Sequence, residues 1–338
     1  MRATVAGYIL RRVLQGILTL FLVMILLHWL TTLVIQLNGN PALAFFGDRI
    51  PTAAQLAAVT ARFGLDNTCY SQTGNPCIGP FFERLGQYLR GDFGTNFRGR
   101  EVTDIVGSAA PNTLKLFVVV TIVWSIVGLT LGSVAARTRG RATDTSIRVV
   151  SILIDALPIF VLLLIYKYVV TVPVNKWASS KFGSDSFVAL LFRPSFSADH
   201  SWATLIIPGL LLGLAGTASF IRLVRAAQLE NYNADHVRTA RSKGLGEGRV
   251  TVRHIVRNSA IPVVTAVGFV FTDALGGAVV TEGLMNINGM GGVLWNAVRD
   301  SETAVVIAVV TMLTVLTIVV MIGVDIVYAL LDPRIRYD

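Results

Sequence analysis

Charge is scarce in this chain: of 338 residues only 14% are Asp, Glu, Lys or Arg, against 53% hydrophobic. That balance excludes an ordinary water-soluble domain, which could not cover its apolar surface with so few charges. Histidine and cysteine are scarcer still, with four and two copies. A metal centre needs a convergent ligand set, and a membrane-embedded enzyme needs a nucleophile with its base; neither can be assembled from these residues. No HExxH, GxSxG or GxxxxGK[ST] string occurs, so the chain reads as non-catalytic and unable to hydrolyse ATP unaided. Low-complexity tracts and internal repeats are missing too. Without inverted repeats or a chain of intramembrane acids, an ATP-independent channel or secondary transporter is disfavoured.

What the chain has in abundance is long apolar runs. Six spans are read at roughly 13–37, 113–136, 149–172, 203–224, 259–281 and 303–331, each near the ~20 residues needed to cross a bilayer as a helix. The fold class is therefore an all-α polytopic membrane protein. Residues 1–37 hold the amino end and first span, 38–112 an external subdomain between helices 1 and 2, and 113–338 the five-span core. The first span lacks a cleavage site and is read as a retained helix.

Orientation follows from arginine placement. Arg2, Arg11, Arg12, Arg137, Arg139, Arg141, Arg148, Arg222, Arg225, Arg238, Arg241, Lys243, Arg249, Arg253, Arg257, Arg334 and Arg336 gather on one face, against Lys176, Lys181, Arg193 and Arg299 in the short opposite loops. Both termini are expected in the cytoplasm. The net charge of +9 is then a matter of topology, and no basic patch with interleaved aromatics argues for nucleic acid.

The 38–112 segment has turn signals at Asn38–Pro41 and Gly91–Gly94, and its stretch Pro51–Phe63 suits a short amphipathic helix. Cys69 and Cys77 both fall here. On an oxidising face their spacing suits a local disulfide over two free thiols, with a loop-closing contribution of about 2–3 kcal/mol. Trp177 and Trp202 are candidate interfacial anchors in a second excursion at 173–202. Within the spans, Asp155 and Asp273 are candidates for the lining of a translocation pathway, weighed against buried structural pairs. Lys167 and Asp325 lie nearer span ends and suit capping or snorkelling, and His28 suits packing. Gly209, Gly213 and Gly216 form a small-residue stripe for close helix approach. Pro208 and Pro262 stand where a helix can kink.

The most informative stretch is polar: residues 225–258, wedged between the fourth and fifth spans. Asn233 is read as an N-cap and Gly244 as a left-handed C-terminal residue, predicting a helix over 234–243. Val237, Ala240 and Gly244 follow helical spacing and form a small apolar stripe suited to the backbone of a partner. Arg249, Arg253 and Arg257 recur every four residues as a cationic edge.

The string Asp235-His-Val-Arg-Thr-Ala-Arg-Ser-Lys-Gly-Leu245 resembles the EAA loop of ABC importer permeases, in the form used by the dipeptide/oligopeptide permease family. Arg238 stands where the general importer pattern has Glu, and Ser242 where this family more often has Ala. Tyr8–Gln15, Gly64–Asp66, Gly91–Gly94, Pro111–Leu114, Ala156–Phe160, Arg257–Pro262, Asn288–Gly291 and Asp332–Arg336 are similar to that family's motifs in the same order. The resemblance implies a type I ABC importer permease in the bacterial inner membrane. It implies a homologous second permease, two ABC ATPase subunits or domains, an external substrate-binding protein and membrane lipids as partners. No cofactor is expected on this chain, ATP and Mg belonging to the ATPases. Asp235, Val237, Arg238, Thr239, Ala240, Arg241, Lys243, Gly244 and Leu245 would couple to them, and dipeptides or short peptides would be the cargo. Neighbouring families with the same motifs take nickel chelates, haem or other small solutes.

Overall fold

The computed structural model describes residues 5–38, 42–43, 46, 50–62, 67–300 and 302–331. The Gly64–Asp66 and Asp332–Arg336 strings, with Arg2, Arg334 and Arg336, lie outside the described residues. Helices dominate. They are α1 Val5–Asn38, α2 Ala53–Arg62, α3 Ile78–Leu89, α4 Val102–Arg137, α5 Ala142–Asp155, α6 Ile159–Ile165, α7 Val172–Phe182 and α8 Phe187–Leu191. There follow α9 Ser201–Ala215, α10 Thr217–Tyr232, α11 Asp235–Ser242, α12 Glu247–Val250, α13 Ala260–Leu284, α14 Met290–Arg299 and α15 Thr303–Leu331. The expected amphipathic helix in 51–63 is α2.

The first, second, fifth and sixth expected spans each fall on one continuous helix, α1, α4, α13 and α15. At 34 and 36 residues, α1 and α4 are about 50 Å long, well beyond a hydrocarbon core of ~30 Å. The third span differs from expectation. The reading of 149–172 as one helix is corrected by a break at Ala156–Pro158, and the long apolar helix is instead Ile159–Phe182. Pro158 is the cause: it carries no N–H and disfavours helical backbone in the residue before it, so α5 stops at Asp155 and α6 restarts from Pro158. A π-helical turn, Tyr166–Thr171, joins α6 to α7. The fourth span is also corrected: 203–224 is not one rod, because α9 and α10 meet at 54° across Gly216. Pro208 lies inside α9 without producing this bend.

The chain falls into two compact units. One comprises residues 13–109 and 293–316. In it, α3 packs on α1 through His28, which is buried among hydrogen bonds from both of its nitrogens: Nε2 meets Cys77 O at 3.0 Å and Nδ1 meets Arg84 at 3.2 Å. Phe81 stands edge-on to His28 and to Phe21. Gln36 donates to the carbonyls of Cys69 and Asn75 and accepts from Gly74 N–H, tying α1 to the turn closed by the Cys69–Cys77 disulfide.

The other unit takes in 110–292, with 1–12 and 317–338. Its core joins Leu116, Phe117, Val120 and Trp124 of α4 to Leu163, Leu205, Leu212, Ala274 and Ala278. The glycine stripe of α9 faces α4: a Cβ on Gly209 would stand 2.7 Å from Val119, and one on Gly213 2.9 Å from Val123. Both are closer than real side chains approach, so the stripe serves backbone packing. Two of the sequence motifs meet in this unit. Asn112 donates to Asn288 O at 2.8 Å, and Thr113 Oγ1 accepts from Met290 N–H at 2.7 Å. Lys167 caps the carbonyl of Leu284 at the end of α13, and Asp325 pairs with Arg12 at 3.1 Å.

Candidate functional site

The polar segment after α10 folds as a compact clamp. Asn233 ends α10 in a right-handed conformation, and the N-cap of α11 is the extended Ala234, so the Asn233 cap is corrected and the helix is the eight residues 235–242. A helix this short is unstable alone; its ends and its buried face hold it. Asp235 lies in the first turn and Arg241 in the last, each complementing the helix dipole. At the C-terminus Gly244 adopts φ +76, as its place in the sequence predicts. Gly244 N–H bonds Arg241 O at 2.9 Å and Leu245 N–H reaches Ala240 O at 3.4 Å. That pair of bonds is a Schellman motif, which a side chain at Gly244 would strain.

Two residues of the apolar stripe face inward. Val237 and Ala240 are 0% and 4% exposed, packed with Val250, Ile255, Tyr232 and Leu245 of their own chain. For Val237 and Ala240 the expectation of a docking surface is therefore corrected: they seat α11 on α12 and on the π-helical turn Thr251–Val256, while Gly244 is exposed. Burying the small face gains what an eight-residue helix needs to persist. The outward face is polar, made of Asp235, Arg238, Thr239, Ser242 and Lys243. Arg241 is engaged elsewhere. It grips Glu247 with two bonds, at 2.8 and 3.3 Å, and lies over the Tyr232 ring. The shared hydrogen bond raises Arg241 above its ordinary pKa and lowers Glu247 below its own. Asn258 donates to His236 Nε2 at 2.9 Å, closing the clamp. Arg249, Arg253 and Arg257 are all exposed.

Behind this clamp, α10 carries polar rungs to three other helices. Arg225 makes two 2.8 Å bonds to Asp144 of α5, and Arg148 approaches the same carboxylate at 3.5 Å. Gly140 N–H completes the set at 3.1 Å. Asp144 is 1% exposed, and the Arg225 hydrogen bond outweighs its burial, holding the carboxyl down to about 2 from 3.8. Gln228 donates to Ser133 of α4 at 2.7 Å. Asn231 donates to Ser259, just before α13, at 3.2 Å, and Ser259 donates back to Ala227 O. Displacement of α10 must therefore move or break contacts with α4, α5 and the start of α13.

Asp155 and Asp273 come together. Both line one cavity of about 250 Å³ with Trp124, Pro158, Ile159, Leu212, Ala215 and Gly216. Asp155 is the last residue of α5 and Asp273 sits midway along α13. Both are exposed.

Residues 128–337 match the family described as binding-protein-dependent transport system inner membrane component. The chain belongs to that family. A putative peptide permease protein of Brucella ovis is 32% identical over 332 residues, covering 97% of this chain and 98% of the relative. The glutathione transport system permease protein GsiC of Escherichia coli K12 is 31% identical over 333 residues, covering 98% and 99%. As a binding-protein-dependent permease, the chain is a multi-pass membrane subunit of an ABC importer and works with an ATPase and a substrate-binding protein.

Sequence reasoning missed several residues that organise this permease. Asp144 had a signal, being the one acid among Arg137, Arg139, Arg141 and Arg148. Gln228 and Ser259 had none, since their partners lie 95 and 28 residues or more away. Glu282 is wholly buried, and its carboxylate accepts Gly292 N–H at 2.9 Å at the first turn of α14. A Cβ on Gly289 would collide with the Glu282 carboxyl and one on Gly291 would stand 3.0 Å from its Oε2, which gives the Asn288–Gly291 string a structural role.

Proposed function

We propose that this chain is one of two homologous permease subunits forming the translocation pathway of an ATP-driven peptide importer, with residues 225–258 and both termini on the cytoplasmic side. The outward face of α11 carries this reading: Asp235, Arg238, Thr239 and Lys243 are presented on a clamp whose Val237, Ala240, Arg241, Gly244 and Leu245 are committed to holding its shape. A rigid, outwardly polar peg suits docking into a cleft of an ATPase subunit. Closure of two such ATPases on ATP would displace α11, and α10 would pass the displacement through Asp144, Ser133 and Ser259 to the helices around the cavity. Peptide cargo is supported by the peptide and glutathione permeases among the relatives. Asp155 and Asp273 would line the pathway.

The test is reconstitution of the permease pair with its ATPases and binding protein in proteoliposomes. ATP-dependent uptake of a labelled tripeptide is expected. Arg238→Glu with Lys243→Glu should release the ATPases and abolish uptake while permease abundance stays normal. Uptake of a nickel chelate or haem with no peptide uptake would overturn the cargo, and ATPases still held by the double variant would overturn the docking face.

A further inference from the structure

The cavity that joins Asp155 and Asp273 holds more than two acids. Trp124 is 94% buried, and its indole Nε1 has no hydrogen-bond partner. It lines the same cavity as Gly216, and Nε1 lies 3.2 Å from where a Cβ on Gly216 would stand. The glycine lets the α9–α10 break pack against the N–H edge of the ring, where any side chain would collide with it. A buried N–H without an acceptor is destabilising, and a ligand oxygen that reaches it would relieve that cost. Among the described residues neither Asp155 nor Asp273 makes a hydrogen bond or ion pair, and no Lys, Arg or His lines the cavity.

The surroundings suit transient occupation. Two broken helices meet at this point, α5 with α6 across Ala156–Pro158 and α9 with α10 across Gly216. In membranes, broken helices are tolerated where the interrupted backbone lines a cavity. Each break sets a helix C-terminus beside an N-terminus, so the dipoles largely offset and the net charge of the cavity is that of its two carboxylates. The remaining lining, Leu157, Ile159, Leu212, Ala215, Ala274 and Gly277, is apolar and donates nothing from its side chains.

The site thus asks for a cation beside a hydrogen-bond acceptor. We infer that it takes the free amino terminus of a peptide: the α-ammonium lies between Asp155 and Asp273, and the first carbonyl oxygen accepts from Trp124 Nε1. The ammonium nitrogen and that carbonyl oxygen are three bonds apart through the α-carbon in every peptide, whatever its side chains. A pathway that grips them recognises the class of cargo without selecting sequence. A metal aquo-cation would satisfy the carboxylates and leave the indole unpaired, and an anionic solute would be repelled. This inference rests on the peptide reading above.

The chain's own cysteines are joined in the Cys69–Cys77 disulfide, so a cysteine introduced at the cavity is the only thiol of this chain that can react, and labelling is read on this chain after the subunits are separated. Ala215→Cys, with Ile159→Cys as a second reporter, is labelled by a small maleimide in the assembled transporter, in nanodiscs and without the binding protein. Trialanine at millimolar concentration is expected to slow labelling at least fivefold, and N-acetyl-trialanine to leave it unchanged. Asp155→Asn with Asp273→Asn should abolish the protection, and Trp124→Phe should reduce it severalfold while the labelling rate without peptide is preserved. Equal protection by both peptides, protection surviving the double Asn variant, or no protection at either reporter would each overturn the inference. ATP-dependent tripeptide uptake by the same transporter with its binding protein separates the two levels. Uptake without protection removes this site alone; absence of peptide uptake removes the peptide reading itself.

Discussion

Replacing Asp144 with Asn tests the link between α5 and α10. The native carboxylate takes two bonds from Arg225, one from Gly140 N–H and the nearby charge of Arg148. Its pKa of about 2 against 3.8 corresponds to about 2 kcal/mol of native-state stabilisation. Asparagine keeps one acceptor and the shape but loses the charge. Removing one partner of a buried pair costs about 3–5 kcal/mol, and the side chain of Arg225 is 20% exposed, so water relieves part of that loss. A destabilisation of about 2–3 kcal/mol is expected. Because the folded pKa is depressed, the contribution is fully present above about pH 4 and disappears as pH falls through about 2. The assay is denaturant unfolding of the purified permease complex in detergent, with Asp144→Asn, Arg225→Gln and the double variant forming a cycle. A coupling of about 2 kcal/mol supports the reasoning. Coupling below about 0.5 kcal/mol, or a native protein whose stability does not fall between pH 4 and pH 2 relative to Asp144→Asn, would refute it.

Ala240→Glu, at a site 4% exposed, should unseat α11 and raise proteolytic nicking near Lys243, whereas Arg238→Glu should leave protease resistance intact; equal resistance in both would count against the clamp. Gly213→Leu drives a side chain into Val123, already 2.9 Å from a bare Cβ, and should cost roughly 1–3 kcal/mol or more and lower membrane abundance; normal abundance and stability would show that α4 and α9 are not in close contact. Intact-mass analysis after alkylation without reductant should show no label on Cys69 or Cys77, and two labels would remove the disulfide. A reporter fused after Asp338 should be cytoplasmic and one inserted at Asn75 external; the opposite pattern would invert the proposed docking side.

Composition and local chemistry were enough for the class and for four spans, because long apolar runs with few charges have no alternative to crossing a bilayer. The left-handed Gly244, the presence of a short helix before it and the cysteine pair were legible for the same reason: each depends on residues within about ten positions of it. Breaks inside apolar runs were not. Pro158 and Gly216 interrupt hydropathy patterns that continue smoothly through them, so the corrected third and fourth spans needed the backbone itself. The direction of the Val237–Ala240 stripe was also out of reach, since spacing shows that residues share a face but not what the face meets. Only the tertiary structure could bring Arg225 to Asp144, 81 residues away, Asn112 to Asn288, 176 residues away, and Trp124 into one cavity with Asp155 and Asp273. Contacts of that kind are made when helices pack, and no local pattern encodes which of the chemically suitable partners will meet.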